Sequence, residues 1–397
     1  MLLKSRFIEM FGCIGKDEKQ WGLKSLKDCV EVNPQKSKDP LILSNSIEEV
    51  SFVPMAFVGE NGSIDCSCIK NYDEVKSGFT YFKENDVLFA KITPCMENGK
   101  GCIAKGLHNG IGFGSTEFHV LRPLDNLCNP KWLYYVSTSQ EMRRSAEKKM
   151  TGSAGQRRVP AKFLEDFKIS IPPIELQKQF ATFVSQVDKS KFLLQQMIAK
   201  LELLKKSRFI EMFEKEKYPV VNLEELIDKN IETAKKDFSK ESIIKYIDIS
   251  SIDNVNHRII GYNEFVLSDA PSRAQQHIRF NDILVSTVRP NLKNVARVEL
   301  KDSNLVASSG FCVLRPKKCS SEYLLSIVKS DKFTLDMSQA VSGATYPAIK
   351  DSDIYNYKIK YPPKEIQNAF SLFVKQLDKS KAILQKQLDD LVGSNKY

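Results

Sequence analysis

A glycine-containing stretch near residue 150 concentrates basic, hydroxyl and amide side chains, the types that bind nucleic acid. Lysine and arginine neutralise phosphates, while arginine and glutamine present paired hydrogen-bonding groups to base edges. Glycine lets the backbone approach a ligand closely. An ordinary solvated loop beside a helix end is the alternative. The sequence predicts DNA contacts from Lys149, Thr151, Gly152, Ser153, Gln156, Arg157 and Arg158.

Further segments carry the same side-chain types. A second glycine loop occupies the corresponding place near the other end of the chain and contributes Gly343, Thr345 and Tyr346. Two strand-to-turn segments and one polar turn add more candidates, for which a turn without a ligand is the alternative. These candidates are Lys91, Thr93, Arg273, Gln275, Arg289, Asn291 and Lys293.

Motifs of catalysis are missing from the sequence. An adenine methyltransferase needs an Asn- or Asp-Pro-Pro-aromatic motif, whereas the two Pro-Pro pairs here are followed by Ile174 and Lys364. No Gly-Lys-Ser/Thr phosphate loop occurs, the four histidines lack metal or triad spacing, and the glycines of residues 110–114 indicate a turn. Cys66 and Cys68 have no second Cys or His pair to complete a zinc site. We expect no catalytic residue, metal or cofactor in this chain.

Composition sets the class of protein. The chain has 397 residues, enough for two or three domains, and 59 Lys and Arg against 49 Asp and Glu give a net charge of +10. This surplus favours polyanionic partners without proving one. No apolar run approaches the roughly 18 residues of a membrane span, and nine scattered cysteines fit reduced thiols better than disulfides. We expect a cytoplasmic protein with no membrane partner.

The chain repeats itself, and the repeat determines how the fold is interpreted. The segment that begins at Pro172 matches the one that begins at Pro362, with Pro-Pro, a Gln, two Phe and Asp-Lys-Ser-Lys in common. Residues 5–11 are identical to residues 207–213. The repeats indicate a pseudo-two-fold ring that is interrupted inside one of its helices.

Each repeated segment shows the heptad spacing of a coiled coil. The ring symmetry requires the two helices to pair in antiparallel fashion within the chain; homodimerisation through the seam is the alternative. The first seam comprises Leu176, Phe180, Phe183, Val187, Ser190, Leu194, Met197, Leu201 and Leu204. The second comprises Ile366, Phe370, Phe373, Leu377, Ser380, Leu384, Gln387 and Leu391.

Short apolar runs bounded by Gly, Pro, Asn or Ser predict strands within each half, and residues 130–148 and 321–335 predict one helix in each. The fold class is therefore α+β, with two mixed α/β domains separated by two long antiparallel coiled-coil helices. The predicted segments are a helix end at 1–11, a recognition domain at 12–172, a central helix at 173–213, a second recognition domain at 214–362, a C-terminal helix at 363–392 and a tail at 393–397.

This layout resembles the specificity subunits of type I restriction-modification systems over essentially the whole chain. The resemblance implies that each domain reads one half of a split double-stranded DNA target and that the helix pair sets the gap. It implies two modification methyltransferase subunits as partners, with restriction subunits able to join. S-adenosylmethionine, ATP and Mg²⁺ would then belong to those partners. No target sequence can be carried over, because the recognition domains of this family vary widely.

Other hypotheses stay open at this point. A stand-alone nuclease or methyltransferase would turn over substrate without partners, and a coiled-coil scaffold would ignore DNA or bind it without partner enzymes. The chain starts inside a helix end instead of at the start of a recognition domain. That departure from the family layout allows a silent, rearranged specificity subunit.

Overall fold

The structure is a computed structural model that describes residues 2–44, 47–153, 155–340 and 348–392. These residues form two compact units. Unit 1 holds the described residues up to 196 and those from 385 onward, and unit 2 holds those from 197 to 384. The division passes through both long helices, whereas the predicted scheme treats the helices as separate segments; the predicted domain bounds stay a prediction.

Unit 1 is built from short strands and helices around the start of one long helix. Its strands are β1 (Leu23–Ser25), β2 (Val30–Val32), β3 (Glu49–Val53), β4 (Ile69–Asn71), β5 (Thr80–Lys83), β6 (Val87–Ala90), β7 (Gly101–Ile103), β8 (Ile111–Gly114), β9 (Phe118–Pro123) and β10 (Lys168–Ser170). Its helices are α1 (Leu2–Phe11), α2 (Pro40–Leu43), α3 (Tyr72–Val75), α4 (Pro130–Thr138), α5 (Gln140–Glu147), α6 (Ala161–Asp166) and the first part of α7 (Ile174–Phe209).

Unit 2 contains the end of α7, which runs into a π-helical turn at Ile210–Glu214. Its strands are β11 (Val220–Asn222), β12 (Ile227–Asp228), β13 (Ile243–Ile247), β14 (Ile252–Asp253), β15 (Arg258–Ile259), β16 (Asn263–Val266), β17 (Ala274–His277), β18 (Ile283–Ser286), β19 (Val295–Arg297), β20 (Leu305–Ser308), β21 (Phe311–Pro316) and β22 (Lys358–Lys360). Its helices are α8 (Ala234–Asp237), α9 (Ser321–Val328), α10 (Asp331–Gln339), α11 (Asp351–Tyr355) and most of α12 (Lys364–Val392).

The two units share one sheet topology. The order β2-β9-β6-β7 in unit 1 corresponds to β12-β21-β18-β19 in unit 2, and β4-β3-β8-β5 corresponds to β16-β13-β20-β17. In the second sheet of each unit one central pair, β3–β8 or β13–β20, is parallel. The predicted α+β class and internal repeat are confirmed. Between β13 and β16 unit 2 adds the hairpin β14–β15, where unit 1 has only the bridge between Val58 and Ile64.

Strand β6 shows why the predicted strands are uninterrupted apolar runs. Val87 and Phe89 face a core formed with α1, α4 and α7, whereas Leu88 and Ala90 face a core shared with the other four-stranded sheet. A strand that is covered on both faces needs apolar residues at successive positions rather than at alternate ones. Ile283 and Leu284 of β18 divide in the same way between two cores of unit 2.

The repeated Pro-Pro and Gln residues anchor the start of each long helix. Gln177 is fully buried; its side chain donates to the Pro172 carbonyl at 2.8 Å and accepts the Asn129 amide at 2.8 Å. Gln367 makes the same bonds to the Pro362 carbonyl and the Ser320 amide, each at 2.8 Å. The glutamine satisfies backbone groups that would otherwise be buried without partners.

The duplicated heptapeptide packs in the same way in both units. In unit 1, Phe7 of α1 lies 5.4 Å from Phe180 between ring centroids, and Phe11 also lies 5.4 Å from it. In unit 2, Phe209 and Phe213 lie 5.7 and 5.1 Å from Phe370. Within unit 2 the helices α7 and α12 are antiparallel, as predicted, because Glu202 contacts Lys381 whereas the later Phe209 contacts the earlier Phe370.

The predicted seam is wrong by one residue at three positions of the first helix and two of the second. Ser190 is exposed, and Met197 and Leu204 are 49% and 47% exposed. Lys191, Ile198 and Lys205 are half-buried in their place, and in α12 Lys381 and Leu388 replace Ser380 and Gln387. A lysine can bury its methylene groups in a seam while its ammonium group stays in water. The apolar pattern therefore did not indicate the three lysines. The remaining seam positions are all buried or half-buried: Leu176, Phe180, Phe183, Val187, Leu194, Leu201, Ile366, Phe370, Phe373, Leu377, Leu384 and Leu391.

Each predicted single helix is in fact two helices. Ser139 separates α4 from α5 and accepts the Met142 amide at 3.2 Å, and Ser330 separates α9 from α10 and accepts the Phe333 amide at 3.1 Å. A serine whose side chain caps the next helix ends the previous one, because its own backbone is extended. The apolar pattern alone did not reveal this break.

Candidate nucleic-acid interface

In unit 1 the structure brings the two predicted DNA-contacting segments together. The Thr93 amide donates to the Arg157 carbonyl at 3.0 Å, and the Val159 amide donates to the Lys91 carbonyl at 2.9 Å. Thr151 and Arg158 form a small antiparallel bridge at the base of the glycine loop. Residues that are far apart in sequence are therefore adjacent in unit 1, with Lys91 and Thr93 half-buried.

The glycine loop is tightly folded at its base. Gly152 has a φ of +120°, and a Cβ atom there would stand 2.8 Å from the Gln156 carbonyl oxygen. Glycine is therefore required by the turn itself. Lys149, Thr151, Ser153 and Gln156 are exposed around it, which leaves them accessible to a ligand.

The two arginines of this loop differ in how closely their side chains are held by other residues. Arg158 donates its Nε and Nη2 groups to Glu117 at 2.9 and 2.8 Å, and its Nη1 to the Gln156 carbonyl at 3.1 Å. These hydrogen bonds lower the pKa of the Glu117 carboxyl. Among the described residues, the side chain of Arg157 has a looser contact with Glu97, at 3.8 Å. A DNA contact of either arginine stays a prediction; the geometry favours Arg157 for phosphates and Arg158 for positioning the loop.

Unit 2 places its candidates at the equivalent location. Val288 bridges to Ala348, and the Ile349 amide donates to the Thr287 carbonyl at 2.9 Å, as Val159 does to Lys91 in unit 1. Arg289 occupies the position of Thr93, because both residues precede the proline of the turn. Gly343, Thr345 and Tyr346 lie outside the described residues.

The short turn that follows Arg289 projects polar groups. Arg289 and Lys293 have φ values of +50° and +53°, in the left-handed region, at the two ends of a 3₁₀ turn. Arg289 and Asn291 are exposed, whereas Lys293 is half-buried and forms an ion pair with Asp331. The left-handed backbone at Arg289 is unusual for a residue with a long side chain, so the turn presents this guanidinium at some cost in strain.

The predicted polar turn at 273–277 is wrong for most of its length, because Ala274–His277 form strand β17 and pair with β20. Arg273 and Gln275 are exposed, and the Arg273 carbonyl accepts the Ser309 amide at 2.8 Å, beside the Gly310 carbonyl that accepts the Thr287 amide. Arg273 thus lies near the Arg289 segment. Gln276 and His277 do not project as free polar groups, because both are hydrogen-bonded within unit 2.

The acidic partners of the candidate basic residues could not be seen from local sequence. Glu97, Glu117 and Asp331 each hold a basic residue, and Glu117 and Asp331 lie 41 and 38 residues away from the partners they bind. Buried Asp86 likewise holds Arg122 at 2.9 and 2.7 Å, and Asp282 holds Arg315 at 3.0 Å. The recurrence of Asn-Asp and Leu-Arg-Pro in both halves was the available signal for the last two pairs.

The described residues offer no metal site. No group of three or more His, Cys, Asp or Glu side chains there could hold a metal ion. All nine cysteines, each of them a described residue, are free thiols. Among the helices of the described ranges, none has the length and apolarity to cross a membrane.

The two units of one topology, each with a polar turn at the same position, match a known family. The family model for the type I restriction modification DNA specificity domain matches residues 18–203 and 215–392. The chain belongs to this family.

Individual relatives carry the same description. The chain is 40% identical over 169 residues to the type I restriction enzyme EcoAI specificity subunit, and 38% identical over 192 residues to that of EcoEI, both from Escherichia coli. These matches span 42% and 46% of this chain but only 28% and 31% of the relatives. The MjaVIII specificity subunit of Methanocaldococcus jannaschii is 24% identical over 310 residues, which are 72% of each chain.

Solved structures show the same fold. A chain from a study of complex assembly and conformational transition in the type I R-M system has a TM-score of 0.60 at 18% identity, over 93% of this chain and 94% of that one. The HsdS subunit from Thermoanaerobacter tengcongensis has a TM-score of 0.50 at 18% identity, over 93% of each chain. At these identities the likeness concerns the fold alone.

Proposed function

We propose that this chain binds a split double-stranded DNA target and directs partner enzymes to it, with each unit reading one half. The observation that carries the proposal is that the two units share a scaffold but differ in the polar residues of their turns. The units share strand order, helix anchors and aromatic packing, yet Thr93 and Arg158 in unit 1 are replaced by Arg289 and Ala348 in unit 2. Two scaffolds of one topology with different polar turns suit a reader of two different half-sites.

Base readout would come from the polar turns, and backbone binding from the lysines and arginines around them. Arg289 and Asn291 can offer paired donors or acceptors to a base edge, as Gln156 can in unit 1. The halves should lie on a similar face of the duplex, about one helical turn or roughly 34 Å apart, with the intervening bases unread.

The long helices would set this gap and hold two modification methyltransferase subunits. Support comes from large apolar side chains that these helices leave exposed, among them Phe192 at 57%, Leu203 at 67% and Leu372 at 60%. Contiguous exposed apolar patches mark protein interaction sites, and these side chains supply apolar surface from which such a site can form. S-adenosylmethionine would then bind to the modification subunits, and ATP and Mg²⁺ to restriction subunits where these join, while this chain supplies no catalytic group.

The test is methylome sequencing of cells that carry this chain together with its modification subunit, compared with cells that lack only this chain. The proposal predicts a new two-part adenine-methylation motif that depends on the chain. If the modification subunit is expressed and bound but no new motif appears, the chain is a scaffold or a silent copy.

A further inference from the structure

Unit 2 contains a cleft that the DNA-contacting turns do not explain. It has a volume of about 570 Å³ and lies among the C-terminal part of α7, the β14–β15 turn, the end of the Arg289 turn and the junction of α9 with α10. All of its lining residues belong to unit 2. We call it the lysine cleft, after the six lysines that line it: Lys205, Lys206, Lys293, Lys329, Lys332 and Lys381.

The carboxylates of the cleft do not neutralise all of these lysines. Glu202 pairs with Lys381 at 2.6 Å, Glu322 pairs with Lys205 at 2.8 Å, and Asp331 is shared by Lys206 and Lys293. Lys329 and Lys332 have no carboxylate within ion-pair distance in the described part of the chain. Half-buried Lys329 and exposed Lys332 therefore stand outside the ion pairs of the cleft, although Glu202, Glu322 and Asp378 lie near enough to Lys329 to affect its charge.

The surroundings of Lys329 disfavour its charged form. Burial, and then the nearby ammonium of Lys205, lower the pKa of Lys329 to about 8. The Nδ1 atom of His257, on the wall formed by the β14–β15 turn, is buried and has no hydrogen-bond partner among the described residues. Buried polar atoms without partners are rare in native proteins and often mark the place of a ligand or water.

The fold does not require these lysines, because unit 1 manages without them. The helix anchors align Ser320 with Asn129, since each donates its amide to the equivalent glutamine. Lys329 and Lys332 then correspond to Thr138 and Glu141, and Ser326 corresponds to Tyr135. The Tyr135 ring stacks on Phe7 at 4.5 Å, and the cavity that remains in this part of unit 1 is only about 20 Å³.

We propose that the lysine cleft binds a phosphate group, with Lys329 and Lys332 as its principal partners. Clustered lysines act as point charges toward phosphate. The start of α10, which is capped by Ser330 and carries Asp331 in its first turn, also lines the cleft. The phosphate belongs either to the DNA backbone beside the half-site of unit 2 or to a small phosphorylated molecule. Only the first source rests on the proposed function.

The first arm of the test uses inorganic pyrophosphate as the probe and the full chain as the protein. Calorimetric titration at pH 7 should show binding that Lys329→Met weakens at least tenfold. Ser326→Tyr should weaken it similarly, because it fills the cleft as Tyr135 does in unit 1 while leaving every lysine in place. Lys317→Met, which removes an exposed lysine outside the cleft, is the matched control and should bind as the unaltered chain does.

The second arm measures how DNA binding by the chain with its modification subunits depends on salt. If the occupant is a DNA phosphate, Lys329→Met should reduce the slope of log K against log salt by about 0.9, the value for one lost phosphate contact. Loss of pyrophosphate binding with an unchanged slope assigns the cleft to a small phosphorylated molecule. If Lys329→Met and Ser326→Tyr change neither pyrophosphate affinity nor slope, the inference is wrong. The methylation motif would be intact in that case, which separates this failure from failure of the proposed function.

Discussion

At the start of its long helix each unit buries the same groups, but the surfaces above them differ. Gln177 and Gln367 are both fully buried and make equivalent bonds, and Phe180 and Phe370 are both enclosed by aromatic rings. Above this shared interior, unit 1 is closed by Tyr135 whereas unit 2 opens into the lysine cleft. Packing is retained where a change would leave a cavity or an orphaned polar group, and ligand-facing positions are free to diverge.

The aromatic centre gives the largest expected effect and tests whether the interiors are equivalent. Phe180→Ala and Phe370→Ala should each lower the free energy of unfolding of their own unit by about 3–5 kcal/mol, because each removes a fully buried ring. Hydrogen exchange of α4 and of α9 reports the two units separately. Leu372→Ala, at an exposed position on α12, is the control and should change little. A large loss of stability in one unit and a small loss in the other would show that the two interiors are not equivalent.

The next effect concerns the glutamine anchors. Gln367→Ala should destabilise unit 2 by about 2–3 kcal/mol, because the Ser320 amide and the Pro362 carbonyl would lose their partner in a buried site. Gln177→Ala should cost unit 1 a similar amount. Asn368→Ala, the exposed neighbour, should be nearly neutral in the same denaturant titration. Equal stability of the Gln367 and Asn368 variants would contradict the anchor role.

The lysine cleft predicts a pH dependence from Lys329, whose equivalent in unit 1, Thr138, does not titrate. The pKa of Lys329 is about 8 in the folded chain and near 10.5 when unfolded, so the unfolded state binds the extra proton between these values. At pH 7 the burial of charged Lys329 therefore lowers the free energy of unfolding by up to about 3 kcal/mol. This loss disappears as the pH rises from 8 to 10.5. The ammonium of Lys205 and the carboxylates of Glu202, Glu322 and Asp378 face the same group.

The measurable quantity is the stability difference between Lys329→Met and the unaltered chain, followed over this pH range. The variant should be the more stable at pH 7, and the difference should shrink toward pH 10.5. Since both proteins share every other titrating group, contributions from tyrosines cancel. A stability difference that does not vary with pH would show that burial does not lower the pKa of Lys329.

The smallest effect on stability is expected on the exposed helix face. Phe192→Ser and Leu203→Ser should each change the free energy of unfolding by less than about 0.5 kcal/mol, because both side chains already face solvent. Binding of the modification subunit should nevertheless weaken about tenfold, as measured by co-purification or light scattering. Lys200→Ser, at an exposed position on the same helix, is the polar control. Unchanged binding of both apolar variants would remove this face from the partner interface.

Sequence periodicity and repetition were sufficient for the class of fold, the long helices and the equivalence of the two halves. They failed where a polar residue has a structural use that depends on distant contacts. Lys191 and Lys381 occupy seam positions, Ser139 and Ser330 break helices by capping, and Glu117 holds an arginine from a remote loop. No local sequence pattern indicated the lysine cleft, because its walls come from the β14–β15 hairpin, α7 and α10, which are distant in sequence.

The most direct test of the central claim, that each unit reads one half-site, is to exchange residues 214–360 for the equivalent segment of another specificity subunit and to sequence the methylome. The account predicts that one half of the two-part motif changes while the other half and the spacing stay as they were. A change in both halves, or in neither, would contradict it.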